Sequence, residues 1–103
     1  MKEKPTKRRH RFSSGAVRSE VKPRYDLIPL VALRRLANRY GLGAVKYGDY
    51  NWLKGGPDFV KDVPNHIIEH IFLWVSGDRA EDHLAAAAWG CCALMHFEEQ
   101  DAV

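Results

Sequence analysis

Four carboxylates and three histidines crowd the stretch from residue 66 to residue 83: His66, Glu69, His70, Asp78, Glu81, Asp82 and His83. Acids at this density can hold a hard divalent ion through oxygen, and a histidine beside them can serve as general base or phosphate contact. The same residues also have a plainer use. Asp78, Glu81 and Asp82 lie where a helix would begin, so capping and complementing the positive helix end would select them anyway. His66 and His70 would then be surface or hydrogen-bonded imidazoles, and His83 would be satisfied by a nearby backbone group.

A second group sits earlier, where Lys46, Tyr47, Gly48, Asp49, Tyr50, Asn51 and Trp52 mix aromatic, amide and charged side chains in a turn-rich segment. An aromatic face there can stack on a base, Asn51 can pair with a base edge, and Lys46 or Lys54 can meet phosphate. The alternative is a loop whose Tyr and Trp cap the core while its lysines are solvated.

The elements that must position these groups follow from periodicity. A helix is expected from near Pro64 toward Gly77, with Ile67, Ile68, Ile71, Phe72, Trp74 and Val75 on an apolar face and Asn65, His66, Glu69 and His70 opposite. A second is expected from Arg79–Asp82 to about Glu99. It has no charge between Leu84 and Met95, so it should be enclosed by protein on nearly all sides. Trp74 and Trp89 are assigned to the core, and Glu98 and Glu99 to a solvated helix end. Upstream, Pro23 and Pro29 frame an extended Arg24–Ile28. A helix follows in which Leu30, Leu33, Leu36 and Ala37 repeat while Arg34, Arg35 and Arg39 point elsewhere. Gly41 and Gly43 should weaken or kink that helix, through close packing or the approach of backbone to a ligand. GGPD at 55 to 58 reads as a turn back to the hairpin.

The expected fold is therefore all-α: a compact helical domain over 15–103, centred on a C-terminal antiparallel helix hairpin, with an extended basic arm at 1–14. Residues 1–11 hold six Lys/Arg and one Glu, so the chain's net charge of +3 hides a body at −2. Such an arm can touch nucleic-acid phosphates through residues 2–11, or serve only as a solubilising tail. Cys91 and Cys92 are adjacent in an apolar helix with no other cysteine to pair with, and read as core thiols in a reducing compartment. No apolar run follows the basic start and none reaches the roughly 20 residues of a membrane span, so a cytoplasmic protein is expected.

Three blocks in order, KPRYDLIP at 22–29, GAVKYGDYNWLKG at 43–55, and GD at 77–78 with EDHLAAAAW at 81–89 and LMHFEE at 94–99, resemble the phage and bacterial dATP/dGTP diphosphohydrolase N-terminal domain family. That family is similar to the all-α NTP pyrophosphohydrolases. The resemblance implies assembly into dimers or tetramers and Mg²⁺-dependent (or Mn²⁺-dependent) hydrolysis of purine deoxynucleoside triphosphates to monophosphate and pyrophosphate. It places His70, Asp78, Asp82 and His83 in the family's hairpin block, and Lys46, Tyr47, Asn51 and Trp52 in its loop block. On this basis Glu69, Asp78, Glu81 and Asp82 are the expected metal ligands. Asp82, His83 and Glu81 are the expected catalytic groups, and Lys46, Tyr47, Asn51, Trp52 and His70 the expected substrate contacts.

The chain departs from the larger superfamily in having no ExxE or ExxD within residues 64–99. An antiparallel turn near 77–80 would also leave Glu69 and Asp82 offset by roughly 9 Å along the helices, at about 1.5 Å per residue. Acids near the turn alone, or a neighbouring helix, would then complete the site. Two other functions fit the same residues: a module that binds a nucleotide without hydrolysing it, and an accessory protein that holds nucleic acid through its arm.

Overall fold

The structure, a computed structural model, describes residues 9–11, 13–15, 17–19 and 22–100. Two short antiparallel strands come first, β1 (Arg9–Arg11) and β2 (Val17–Ser19), with Arg9 opposite Ser19 and Arg11 opposite Val17. This hairpin straddles the boundary expected at residue 14. Most of the arm expected to contact nucleic acid, residues 2–8, lies outside the described residues.

The body beyond is all-α, with α1 (Leu30–Tyr47), α2 (Gly56–Val75) and α3 (His83–Glu99); a 3-10 turn at Asn51–Lys54 links α1 to α2, and the 76–82 segment links α2 to α3. Among the described residues no helix is long and apolar enough to cross a membrane. The centre is the α2–α3 hairpin. Its turn is built as foreseen around Gly77, at φ +94°. The Gly77 amide donates to the Trp74 carbonyl and the Asp78 amide to the Leu73 carbonyl, each at 3.0 Å, the pair of bonds that closes a helix through a left-handed glycine. Asp82 caps α3, its carboxylate accepting from the Ala85 amide at 3.1 Å.

Gly90 lets the two helices approach closely. A Cβ there would stand 2.6 Å from Ile67 Cγ1 and 3.2 Å from Val63 Cγ1. The buried apolar residues are small or line this seam: Val63, Ala85, Ala86, Ala87, Ala93 and Phe97.

Several expectations change. The Arg24–Ile28 segment contains a 3-10 turn at Tyr25–Leu27, tied by an Arg24–Asp26 ion pair of 2.7 Å. Helix α2 begins at Gly56, and Pro64 lies inside it. GGPD is thus a helix start, because Pro57 in the first turn loses no bond there and Asp58 suits the positive end. Pro64 withholds one amide on an exposed side, where water can serve the orphaned carbonyl.

Helix α1 runs unbroken through Gly41 and Gly43, and a Cβ at either would meet nothing within 4 Å, which removes close packing within the chain as their reason. Its inward side carries Leu36, Arg39, Tyr40, Gly43 and Ala44; Leu36 and the exposed Arg34 and Arg35 are as expected, whereas Leu30, Leu33 and Ala37 face out and Arg39 is half-buried. On α2, Ile68, Ile71, Phe72, Trp74 and Val75 are likewise exposed. Trp74 therefore leaves the core and is covered by the Arg79 guanidinium, 5.1 Å above its ring. On α3, Ala88, Cys91 and Met95 are open, so this helix is enclosed on one side rather than all round and Cys91 is no core thiol.

Candidate functional site

The segment 76–82 is long enough to climb back beside α2 before α3 starts. His83, the first residue of α3, therefore lies level with His70, about one and a half helical turns before the end of α2. The Nδ1 atoms of the two rings are 2.9 Å apart. On its other side His83 Nε2 is 2.7 Å from Asp78 Oδ1, which also accepts from the Ala80 amide at 2.9 Å. His83 is buried, with 3% of its surface exposed.

A carboxylate oxygen can only accept, so His83 Nε2 donates. Its Nδ1 meets the Nδ1 of His70 in a second hydrogen bond, one ring donating and the other accepting. His83 and the Ala80 amide hold the Asp78 carboxyl below its usual range, whereas burial pushes the His70 imidazole down toward its neutral form.

Two arginines of α1 grip the acids that precede His83. Arg35 meets Asp82 through two bonds, Nε to Oδ2 at 2.8 Å and Nη2 to Oδ1 at 2.6 Å, and lowers its carboxyl to about 2. Arg39 donates to Glu81 Oε1 at 2.9 Å and lowers that carboxyl as well. Glu81, His70 and His83 each bring a donor atom to one spot, all within 4.8 Å of one another.

Of the four acids expected to bind metal, then, only Glu81 joins the cluster directly. Asp78 stands behind His83, Asp82 is committed to Arg35 and the α3 cap, and Glu69 is exposed on α2. Glu69 is separated by its direction around the helix, one residue and about 100° from His70, rather than by the axial offset. Mg²⁺ takes oxygen ligands in octahedral geometry, so two imidazoles and one carboxylate do not fit it.

The expected substrate contacts divide. Lys46, Tyr47, Asn51 and Trp52 all line one cleft of about 510 Å³ between the α1 end and α3, a volume suited to a small ligand. His70 belongs to the imidazole cluster instead. The cleft's aromatic wall is a linked set: Tyr40 lies 6.1 Å from Trp52 and 6.2 Å from Trp89, and Phe59 lies 5.8 Å from Trp89. Tyr50, at φ +59°, holds a left-handed conformation that is rare for a bulky residue and keeps its ring out in the cleft mouth.

Arg39 lines this cleft while bonding Glu81, so one guanidinium connects the two regions. Sequence reasoning passed over Arg35, Arg39, Tyr40 and Trp89. A signal was available in the i, i+4 spacing of Arg35 and Arg39, which presents two cations on one face to the adjacent pair Glu81–Asp82.

No curated protein and no solved structure matches the chain. The family described as "dATP/dGTP diphosphohydrolase, N-terminal" does match, over residues 13–103, which takes in every group described above. The chain belongs to the dATP/dGTP diphosphohydrolase N-terminal family, whose name points to a nucleotide hydrolase.

Proposed function

We propose that this protein hydrolyses purine deoxynucleoside triphosphates to the monophosphate and pyrophosphate. The observation that carries the reading is the join at Arg39 between an aromatic cleft and an acid–imidazole cluster. The base stacks in the cleft against Trp52 and Tyr47, and the Asn51 amide is within the same lining to meet the base edge. Lys46 and Arg39 supply positive charge for the phosphates. Water attacks the α-phosphorus, the bond from that phosphorus to the bridging oxygen breaks, and pyrophosphate leaves with that oxygen. The cluster of His70, Glu81 and His83 is assigned the activation of the water. Asp82 acts through position, fixing the start of α3 and the attitude of α1.

The functional unit is a homo-oligomer. Among the described residues seventeen large apolar side chains are exposed, including Leu30, Val31 and Leu33 of α1 and Ile68, Phe72 and Val75 of α2. Covering such side chains in a partner interface is worth roughly 1.5–3 kcal/mol for each one fully buried. Light scattering at micromolar concentration gives a multiple of the chain mass; a monomer removes this part of the reading.

The activity is tested by incubating the protein with each dNTP and NTP and separating products by ion-exchange chromatography. Monophosphate with pyrophosphate is expected from dATP and dGTP. Trp52→Ala should raise KM roughly 5- to 150-fold, from a base stack of about 1–3 kcal/mol. Nucleotide bound tightly with no product formed would instead identify a binding module, the reading favoured by the absence of ExxE and ExxD pairs within residues 64–99.

A further inference from the structure

We propose that His70, Glu81 and His83 form a binding site for a divalent first-row transition ion, held by two imidazole nitrogens and one carboxylate oxygen. The inference deepens the hydrolase reading, on which the ion's role in activating water rests; the binding itself does not depend on it.

The argument begins at the buried ring of His83. Its Nε2 is held on Asp78 at 2.7 Å, so its Nδ1 faces inward, toward the His70 Nδ1 at 2.9 Å. Without an ion the two nitrogens share one hydrogen bond, one ring donating its Nδ1–H and the other accepting. A metal ion would replace that proton and take both lone pairs. Adjacent nitrogens bound at about 2.1 Å to one ion lie about 3 Å apart, so the observed separation suits a common metal.

Glu81 supplies the third donor within 4.8 Å of both rings. Arg39 takes only Oε1, which leaves Oε2 for the ion.

The surroundings match what ligand imidazoles require. A carboxylate behind a histidine sets its tautomer and orientation, as Asp78 does for His83. Asp78 is itself pinned by the closing bonds of α2, and His83 stands directly after the Asp82 cap. Imidazole with carboxylate selects Mn²⁺, Fe²⁺, Co²⁺, Ni²⁺ or Zn²⁺ over Mg²⁺. Three protein ligands leave positions open, and such an ion lowers the pKa of a bound water.

Chelator-treated full-length protein, free of nucleotide, is titrated with Co²⁺ and followed by visible ligand-field absorption and calorimetry. One ion per chain is expected, retained in excess Mg²⁺. His70→Ala and Glu81→Gln lie outside the packed seam; each should weaken binding by roughly 100-fold or more, with unchanged circular dichroism. Equal Co²⁺ affinity in wild type and both variants, or displacement by equimolar Mg²⁺, would overturn the site. Co²⁺ bound as expected while no nucleotide is cleaved would keep the site and sink the hydrolase reading. Nucleotide cleaved with Mg²⁺ by a protein that takes up no Co²⁺ would do the opposite.

Discussion

The α2–α3 seam and the α1 helix are built on opposite rules. In the seam small residues let backbones come close: Ala85, Ala86, Ala87 and Ala93 are buried, and Gly90 has no room even for a methyl group. Helix α1 also carries glycines, but a Cβ at Gly41 or Gly43 would meet nothing within 4 Å, and Leu30, Leu33 and Leu42 are exposed. What holds α1 is polar and aromatic: two arginine–carboxylate pairs and the contacts of Tyr40 with Trp52 and Trp89. The lesson is that the scaffold is made by packing within the hairpin, whereas α1 is joined to it chiefly through groups of the candidate site. Substitutions there should change stability and function together.

The sharpest way to break the contrast is at Gly90. Gly90→Leu should destabilise by about 3 kcal/mol or more, and Gly90→Ala by about 1–3 kcal/mol despite the better helix propensity of alanine. Urea midpoints at fixed protein concentration measure both. Adding Ile67→Ala should make Gly90→Ala less costly, because the nearest atoms of the clash belong to Ile67; an unchanged cost would refute the close approach.

Next comes Asp82→Asn, which keeps a cap acceptor but loses the charge that Arg35 grips. We expect a loss of about 1–3 kcal/mol, as for a hydrogen-bonded charge, and a coupling above about 0.5 kcal/mol to Arg35→Ala in a double-mutant cycle. Additive effects would detach α1 from the turn. The smallest effect is expected at Gly41→Ala, a gain of about 0.5–1 kcal/mol, since the new methyl touches nothing in the chain. Destabilisation there, growing with dilution, would instead show that a second subunit packs on that face. Gly43→Ala, at the cleft wall, should leave stability level or higher yet raise KM.

The hairpin was legible because its signals are local. Gly77 stops a helix wherever it falls after an apolar run, and Asp82 with its neighbours announces the start of the next. The loop from Lys46 to Trp52 was legible by composition, and all four of its expected ligand contacts line one cleft. The start of α2 was misread because Pro64 is permitted both in a first turn and, with one amide lost on a wet side, in an interior. Helix faces were misread on α1 and α2 for a different reason. Periodicity shows that an apolar stripe exists but says nothing about what covers it, and here the stripes of Leu30 and Leu33 and of Ile68 and Phe72 point away from the rest of the chain. The meeting of His70 with His83 depended on the length of the 76–82 connection, a tertiary quantity with no signature in either residue.

The alanine-rich seam has a kinetic corollary. Alanine and glycine surrender almost no side-chain rotamer freedom on burial, and the contacts they make join segments adjacent in sequence. We predict that α2 and α3 form a cooperative unit that protects its amides before α1 docks, in keeping with the speed of local topologies. Native-state hydrogen exchange should then show α1 opening in a step of lower free energy than the hairpin. Equal protection in all three helices would mean that the molecule folds as one piece.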